Sequence, residues 1–493
     1  PDGDVISPGT VIISAAGHCD DITKVVEPVL QKNGGSIYYI NLSKDSFKLG
    51  GSSFGQIRNA IGNEAPTIID DAYFKSVFNS IQTLIRNGQI VAGHDVASGG
   101  LITTLLEMCF ADNGLGAALD LSDLGESDTI KLLFSENAGI VFQGDVSLEK
   151  NLSDKKIDFK KIGEVTSEST LNLKNGSMEM GLNIASLRDT WFKTSYLLDD
   201  RQTAKGLAKE RFGNYKEQVL EYLFPDQFTG QLSGRAQSGA VEKPKAAILR
   251  EKGSNSEREM ANAMFLAGFD VKDVHMTDLI SGRENLEDIQ FLGAVGGFSN
   301  SDVLGSAKGW AGAVKYNEKA NAVIKSFFAR PDTLSVGICN GCQLFMELNL
   351  INPYHKTHGK LTYNDSHKHE SNFSSVKIQK NNSVMLSGLE GCTLGVWISH
   401  GEGKFILPES EENYDIVAKY GYEGYPANPN GSDYNTAMLC DKTGRHLVTM
   451  PHIERSIFPW NWAYYPKDRN DKVSPWLAAF VNAREWVEEK SKK

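Results

Sequence analysis

The chain has 493 residues, and at roughly 150 residues per domain that makes about three units, or two large ones. Hydrophobic residues are 40% and charged residues 23%, the balance of an ordinary globular protein, so disordered and low-complexity classes are excluded. The net charge of −11 disfavours a phosphate backbone as partner, and no run approaches the ~18 apolar residues a bilayer span needs, so neither nucleic acid nor membrane is expected.

In chain order, Val11 to Ala16 and Ser36 to Ile40 read as strands, being short, β-branched or aromatic, and bounded by glycine. Phe74, Val77, Phe78, Ile81, Leu84 and Ile85 share one face of a helix that Asn87-Gly88 can end. A strand over Gln89 to Ala92 runs into His94-Asp95, then Ser98-Gly99-Gly100, then a helix from Leu101. Residues 197–242 begin as charged helix and give way to Gln227 to Ala240, rich in Gln, Gly and Ser, which reads as a linker. The expected domains are therefore 1–196, a linker over 197–242, and 243–493.

From Lys243 short strands alternate with amphipathic helices. Strands are expected at Ala246 to Leu249, Val271 to Val274, Phe291 to Val295 and Leu334 to Ile338. Ser254 with Glu257 offers a capping box for a helix that Gly268 closes, another helix runs over Glu318 to Phe328, and a third starts at Gly341. Such alternation implies an α/β fold with a mostly parallel sheet covered on both faces.

The chemistry concentrates at Ser335 to Gln343. A buried strand ends at Cys339, with glycine two residues before and two after, and a helix begins at once; this is the pattern of a nucleophile elbow. The helix N-terminus favours thiolate, and the Asn340 amide points where an oxyanion would form. A redox pair with Cys342 and a buried structural cysteine are the competing readings, and the strand–Gly-x-Cys-x-Gly–helix context speaks for acyl transfer. Six cysteines in so long a chain suit a reducing compartment, and the cytoplasm is expected.

A cysteine nucleophile needs a base and a group to orient it. At Leu447 to Arg455 a strand ends and His452 and Glu454, two residues apart, can project to one side. Alone, His-x-Glu is more often a surface pair; its value comes from matching the elbow. Gly296-Gly297-Phe298, after another strand, could bring backbone N–H groups close to a ligand, or could be a plain turn. His355, His358, His367 and His369 cluster, but no cysteine is near and the spacing does not fit a structural zinc site.

Together, Gly296 to Phe298, Gly337 to Gln343 and Pro451 to Arg455 resemble the three motifs of a class I (triad) glutamine amidotransferase. Leu249 to Glu257, Asp273 to Leu279, Gly297 to Gly305, Ser399 to Gly403 and Ala427 to Ser432 are similar to the glutaminase region of the formylglycinamide ribonucleotide amidotransferase family. Leu49 to Ser53 and Gly93 to Leu101 resemble the last subdomain of its synthetase portion, of the aminoimidazole ribonucleotide synthetase-like superfamily.

The resemblance implies a flavodoxin-like glutaminase domain behind an α+β synthetase subdomain. It implies an ATP-dependent carbon–nitrogen ligase of purine biosynthesis that takes L-glutamine, ATP and formylglycinamide ribonucleotide, with Mg2+. In it Cys339 attacks, His452 moves protons and Glu454 orients His452; Gly297, Phe298 and Asn340 line the oxyanion site, and Gln343 and His400 are candidates to contact glutamine. Asp95 matches an auxiliary magnesium ligand, and Ala97 stands where relatives use serine towards nucleotide. The N-terminal domain and most of the synthetase do not precede these motifs, so the chain is expected to be an excised portion whose partner is the missing part. An amidotransferase for another acceptor and a non-catalytic docking module are the alternatives.

Overall fold

In this computed structural model, residues 12–111, 114–216, 221–232, 243–466 and 468–491 are described, and they divide into two compact units, Pro1–Thr194 and Ser195–Lys493.

The first unit is built on β1 (Ser36–Asn41), whose Ile37 and Tyr39 enter one core and whose Tyr38 and Ile40 enter another. The period of two sends alternate side chains to opposite faces of the sheet, so one strand serves both layers. Next come α1 (Ser53–Ile57), α2 (Asp71–Arg86), β2 (Ile90–Val96), α3 (Gly100–Glu107), β3 (Gly116–Asp120), α4 (Thr129–Phe134) and β4 (Gly139–Gly144). The unit continues through α5 (Ser147–Asp154), β5 (Lys160–Thr166), β6 (Thr170–Asn175) and β7 (Met178–Asn183) to α6 (Ile184–Gln202), which crosses the boundary. The seven strands run β2-β4-β1-β5-β3-β6-β7, antiparallel except for β3 with β6. Val77, Ile81 and Leu84 of α2 pack on the Tyr38 face, and Leu101, Ile102 and Leu105 of α3 on the Tyr39 face. Asp70 caps α2 by accepting the Tyr73 N–H, and Asn87 ends it, with Gly88 beyond at φ 69°.

The strand expected over 11–16 is absent from the described residues 12–16, where Ile12 and Ile13 are 87% and 86% exposed. β-propensity is realised only when a neighbouring strand supplies hydrogen bonds and a buried face, and none does so there. β2 extends through His94 and Asp95, which were expected to follow a shorter strand.

The second unit adds α7 (Leu207–Asn214), then β8 (Lys245–Arg250), α8 (Glu257–Ala267), β9 (Asp270–His275), α9 (Met276–Ser281), β10 (Phe291–Ala294), α10 (Lys308–Lys315), α11 (Glu318–Ala329), β11 (Leu334–Ile338) and α12 (Asn340–Glu347). It ends with β12 (Lys360–Thr362), β13 (Glu370–Ile378), β14 (Thr393–His400), β15 (Lys404–Ile406), β16 (Asp415–Tyr420), β17 (Thr436–Cys440), β18 (His446–Thr449) and α13 (Trp476–Ser491). A nine-stranded sheet runs β14-β13-β16-β17-β18-β11-β10-β8-β9. From β18 to β9 every pairing is parallel, and from β14 to β18 every pairing is antiparallel. β10 and β11 are buried at every residue, as strands covered on both faces are. The sheet is thus half parallel, with an antiparallel extension that periodicity did not announce.

The capping box expected at Ser254 does not form. Ser256 is the residue before α8, at φ 69°, while the Ser254 hydroxyl donates to the Glu251 carbonyl. Residues 253–255 instead pair with the Gly296–Phe298 turn, which fixes their backbone before the helix begins.

Within 197–242, α6 and α7 occupy the first part. Asp199 receives Lys368 at 2.5 Å and Arg211 at 3.3 Å, and Arg211 also meets Glu370 at 3.2 Å. Of the Gln/Gly/Ser-rich stretch, 233–240 lies outside the described residues.

Candidate active site

Cys339 stands between β11 and α12 at φ 52°, ψ −105°, a backbone conformation that L-residues rarely hold without support. Its N–H donates to the Thr449 carbonyl at 2.9 Å, which ties the elbow to the end of β18. Close packing explains the flanking glycines. A Cβ on Gly337 would lie 2.6 Å from the Gly341 carbonyl oxygen, and one on Gly341 would lie 2.1 Å from that of Ala294. The Cys339 sulfur is 3.7 Å from the Ser399 carbonyl oxygen at the end of β14. Cys342, one turn on, is wholly buried, and burial pushes its thiol well above the usual range. All six cysteines are free.

His452 follows β18, and its N–H donates to the Trp397 carbonyl at 2.9 Å. Its Nδ1 lies 2.7 Å from Glu454 Oε1, with both side chains buried. Burial alone would lower the imidazole, but the Glu454 carboxylate and the Cys339 sulfur more than reverse this and raise it to about 10. Burial likewise works against the Glu454 anion, and His452, then Arg455, hold it below the usual carboxylate range. A Cβ on Gly296 would sit 3.0 Å from His452 Cε1 and 3.4 Å from Cys339 Cβ. The thiol-bearing residue, the imidazole and the glycine turn therefore meet at one point.

The turn itself is held by residues 253–255. Asn255 N–H donates to the Gly296 carbonyl at 2.8 Å and Phe298 N–H to the Gly253 carbonyl at 3.0 Å. Between these bonds Ser254 and Gly297 face each other as a bridge without bonding, so the Gly297 N–H points away from that segment. Phe298 was expected to line the oxyanion site, but its amide is committed to Gly253. The Asn340 N–H opens α12 without an intrahelical acceptor, and the Gly297 N–H is not bonded to residues 253–255.

Gln343 and His400, the expected glutamine contacts, are built into the wall. Gln343 Nε2 donates to the Glu402 carbonyl at 2.8 Å, and its Oε1 accepts from Asn340 Nδ2 at 2.9 Å. His400 Nδ1 lies 2.9 Å from the Asn430 amide and Nε2 3.1 Å from the Met450 carbonyl, so both ring nitrogens are engaged. Burial lowers this imidazole to about 3, and it stands as a neutral ring stacked 6.4 Å from that of His452.

Sequence alone assigns no contact to Ser399, Asn255, Trp397 or Arg455, and places His369 in a histidine cluster. His369 Nε2 is 3.1 Å from Ser399 Oγ, and its ring is 6.0 Å from that of the half-exposed Phe298. Asn255, Ser399 and Arg455 lie inside the resembling motifs, so position is a signal, but only contacts show what they touch. A cleft of about 620 Å³, lined by Arg258, Asn262, Ser371, Ser399 and Arg455 among others, opens on His452.

In the first unit Asp95 is exposed on β2, its Oδ1 3.3 Å from His94 Nδ1, while His94 Nε2 lies 3.1 Å from Glu107. Among the described residues no three His, Cys, Asp or Glu side chains are placed to hold a metal ion. Ala97 presents a methyl group, and its carbonyl accepts the Gly100 N–H at 3.0 Å. Among the described residues no helix is long and apolar enough to cross a membrane.

Residues 243–487 match the CobB/CobQ-like glutamine amidotransferase domain family, and residues 34–174 match the C-terminal domain of the AIR synthase related proteins. The chain is 38% identical over 99% of its length to the probable chloroplastic/mitochondrial phosphoribosylformylglycinamidine synthase of Arabidopsis thaliana, of which it covers 36%. It is 36% identical over 99% of its length to human phosphoribosylformylglycinamidine synthase, of which it covers 39%. A solved structure of PurLQS from Thermotoga maritima matches 51% of this chain and 100% of that one, at 22% identity and a TM-score of 0.40.

Proposed function

We propose that the chain, which is similar along nearly its whole length to phosphoribosylformylglycinamidine synthases and spans well under half of theirs, supplies ammonia by hydrolysing glutamine for the conversion of formylglycinamide ribonucleotide to formylglycinamidine ribonucleotide. The observation that carries this reading is the meeting of the Cys339 elbow, the His452–Glu454 pair and the Gly296 turn.

His452 holds the proton given up by the Cys339 thiol, and the resulting thiolate attacks the side-chain amide carbon of glutamine. The carbonyl oxygen becomes an oxyanion and is met by the Gly297 and Asn340 N–H groups. His452 gives a proton to the departing nitrogen, ammonia leaves, and a γ-glutamyl thioester remains on Cys339. His452 then takes a proton from water, the resulting hydroxide attacks the thioester carbon, the C–S bond breaks to release glutamate, and His452 returns that proton to the Cys339 sulfur. Glu454 holds His452 in the tautomer that presents Nε2 to these steps. In the synthetase portion ATP, with magnesium, would transfer a phosphoryl group to the amide oxygen of the acceptor and leave as ADP, and ammonia would then displace phosphate from the activated carbon. Asp95 and Ala97 enter no step. The proposed setting is the cytoplasm, where six unpaired cysteines stay reduced.

Glutamate release from glutamine tests the reading. It is expected from the unmodified chain and lost in Cys339→Ala; equal activity in the two would refute it.

A further inference from the structure

Two loops far apart in sequence meet at the thiol, Gly296-Gly297 after β10 and His452 to Glu454 after β18; Arg455 lies beside Glu454 of the second and reaches the first only through Asn255, of the β8–α8 connection. Its Nη2 donates to Asn255 Oδ1 at 2.8 Å, and the Asn255 N–H donates to the Gly296 carbonyl at 2.8 Å. On its other side Arg455 Nε lies 3.9 Å from Glu454 Oε1 and 3.5 Å from Glu259 Oε1 of α8. Glu454 is fully buried, and its Oε2 has no hydrogen-bond partner among the described residues. The carboxylate is thus held by His452 at one oxygen and by the guanidinium charge beside it. Glu259 is 44% exposed, so its pair with Arg455 is worth little by itself. What sets Arg455 apart is its reach, because the planar fork spans two directions that a point charge cannot.

We propose that Arg455 is a positioning residue that ties the Glu454 carboxylate and the Gly296–Gly297 turn into one assembly. The proposal rests on the glutaminase reading. Arg455 touches neither sulfur nor imidazole; it keeps the proton-moving arm and the oxyanion turn in register, acting through Glu454 and Asn255. The charged and titratable groups around it are Glu259 and Arg258 of α8 and Glu454 and His452 on the inner side; His452 in turn faces Cys339 and the neutral His400, which His369 also faces.

The test compares Arg455→Met, Arg455→Lys, Asn255→Ala and the Arg455→Met/Asn255→Ala double variant with the parent. Two readouts are taken across pH: steady-state glutamate release, and the rate of iodoacetamide alkylation at Cys339 followed by mass spectrometry. Arg455→Met is expected to lower kcat by about 10- to 100-fold, the range for removing an outer partner of a reacting group, with KM little changed. Arg455→Lys is expected to recover part of the loss, and the double variant to lose less than the product of the single losses. Alkylation of Cys339 in Arg455→Met is expected to need higher pH, because a freed Glu454 supports the imidazolium beside the sulfur less well. A kcat and alkylation profile unchanged in Arg455→Met, or losses at Arg455 and Asn255 that simply multiply, would overturn the proposal. If the parent releases no glutamate, the glutaminase reading fails while the alkylation profile still decides whether Arg455 positions the site. Should Arg455→Met fail to fold, Arg455→Lys and Asn255→Ala carry the same comparison.

Discussion

Cys339 and Cys342 sit one helical turn apart and have opposite chemistry. Cys339 is raised on a strained elbow beside His452, while Cys342 lies in the core with its thiol held protonated by burial. Cys342→Ala is therefore expected to keep glutamate release and to cost about 1 kcal/mol in denaturant unfolding, from the small cavity it leaves. Glu454→Gln is expected to fold normally and lose roughly three to four orders of magnitude in kcat, because an amide no longer enforces the His452 tautomer. Steady-state assays at fixed pH check this, and a loss below tenfold would remove Glu454 from its proposed role. At this scale Cys339, His452 and Glu454 were legible because each follows a strand end in a recognisable local pattern. Phe298, Gln343 and His400 were not, because their partners at Gly253, Glu402, Asn430 and Met450 come from other segments. Ser399 lies in a resembling motif, yet its contact with the sulfur is through a carbonyl, which any residue carries.

Among the elements, the β11–α12 junction depends on space as much as on dihedral angles. Gly341→Ala would drive a methyl group to 2.1 Å from the Ala294 carbonyl, backbone against backbone, so β10 and α12 must separate. A destabilisation of about 1–3 kcal/mol is expected from such overpacking, read as a lower denaturation midpoint. Gly296→Ala differs, since its methyl would meet the His452 ring and the Cys339 Cβ. There activity should fall far more than stability, and a variant active at the parent's level would contradict the placement of these groups. Helices with a clear 3.6 period, α2 and α11, were legible along nearly their whole length. The 11–16 strand was misread because its propensity had no partner to satisfy it, and the Ser254 cap because the Gly296 turn claims that backbone.

For the whole molecule, three buried histidines set the pH response of stability. His400 and His446 stay neutral in the fold, burial lowering them to about 3 and about 4 from an ordinary 6.5. Below pH 6.5 the unfolded chain binds protons that these rings refuse, so stability is lost as pH falls towards 4. His452 has the opposite sign. Its folded value of about 10 means its contribution is complete below 6.5 and is lost as pH rises towards 10. The thermal midpoint is therefore expected to peak near neutrality, with His452→Asn flattening the alkaline side; a midpoint still rising from pH 7 to 9 would contradict this. The parallel half of the large sheet was legible from alternating strands and helices, because βαβ units repeat a long local pattern. The antiparallel half was largely not, since β13, β14, β16 and β17 are joined by irregular loops and their order reflects long-range pairing.

The most direct measurement is modification by the glutamine-directed electrophile 6-diazo-5-oxo-L-norleucine, with the labelled residue located by mass spectrometry. One equivalent on Cys339, blocked by glutamine and accompanied by loss of glutamate release, is the outcome expected from this site. Label on Cys342, or none on Cys339 in the folded chain, would contradict it.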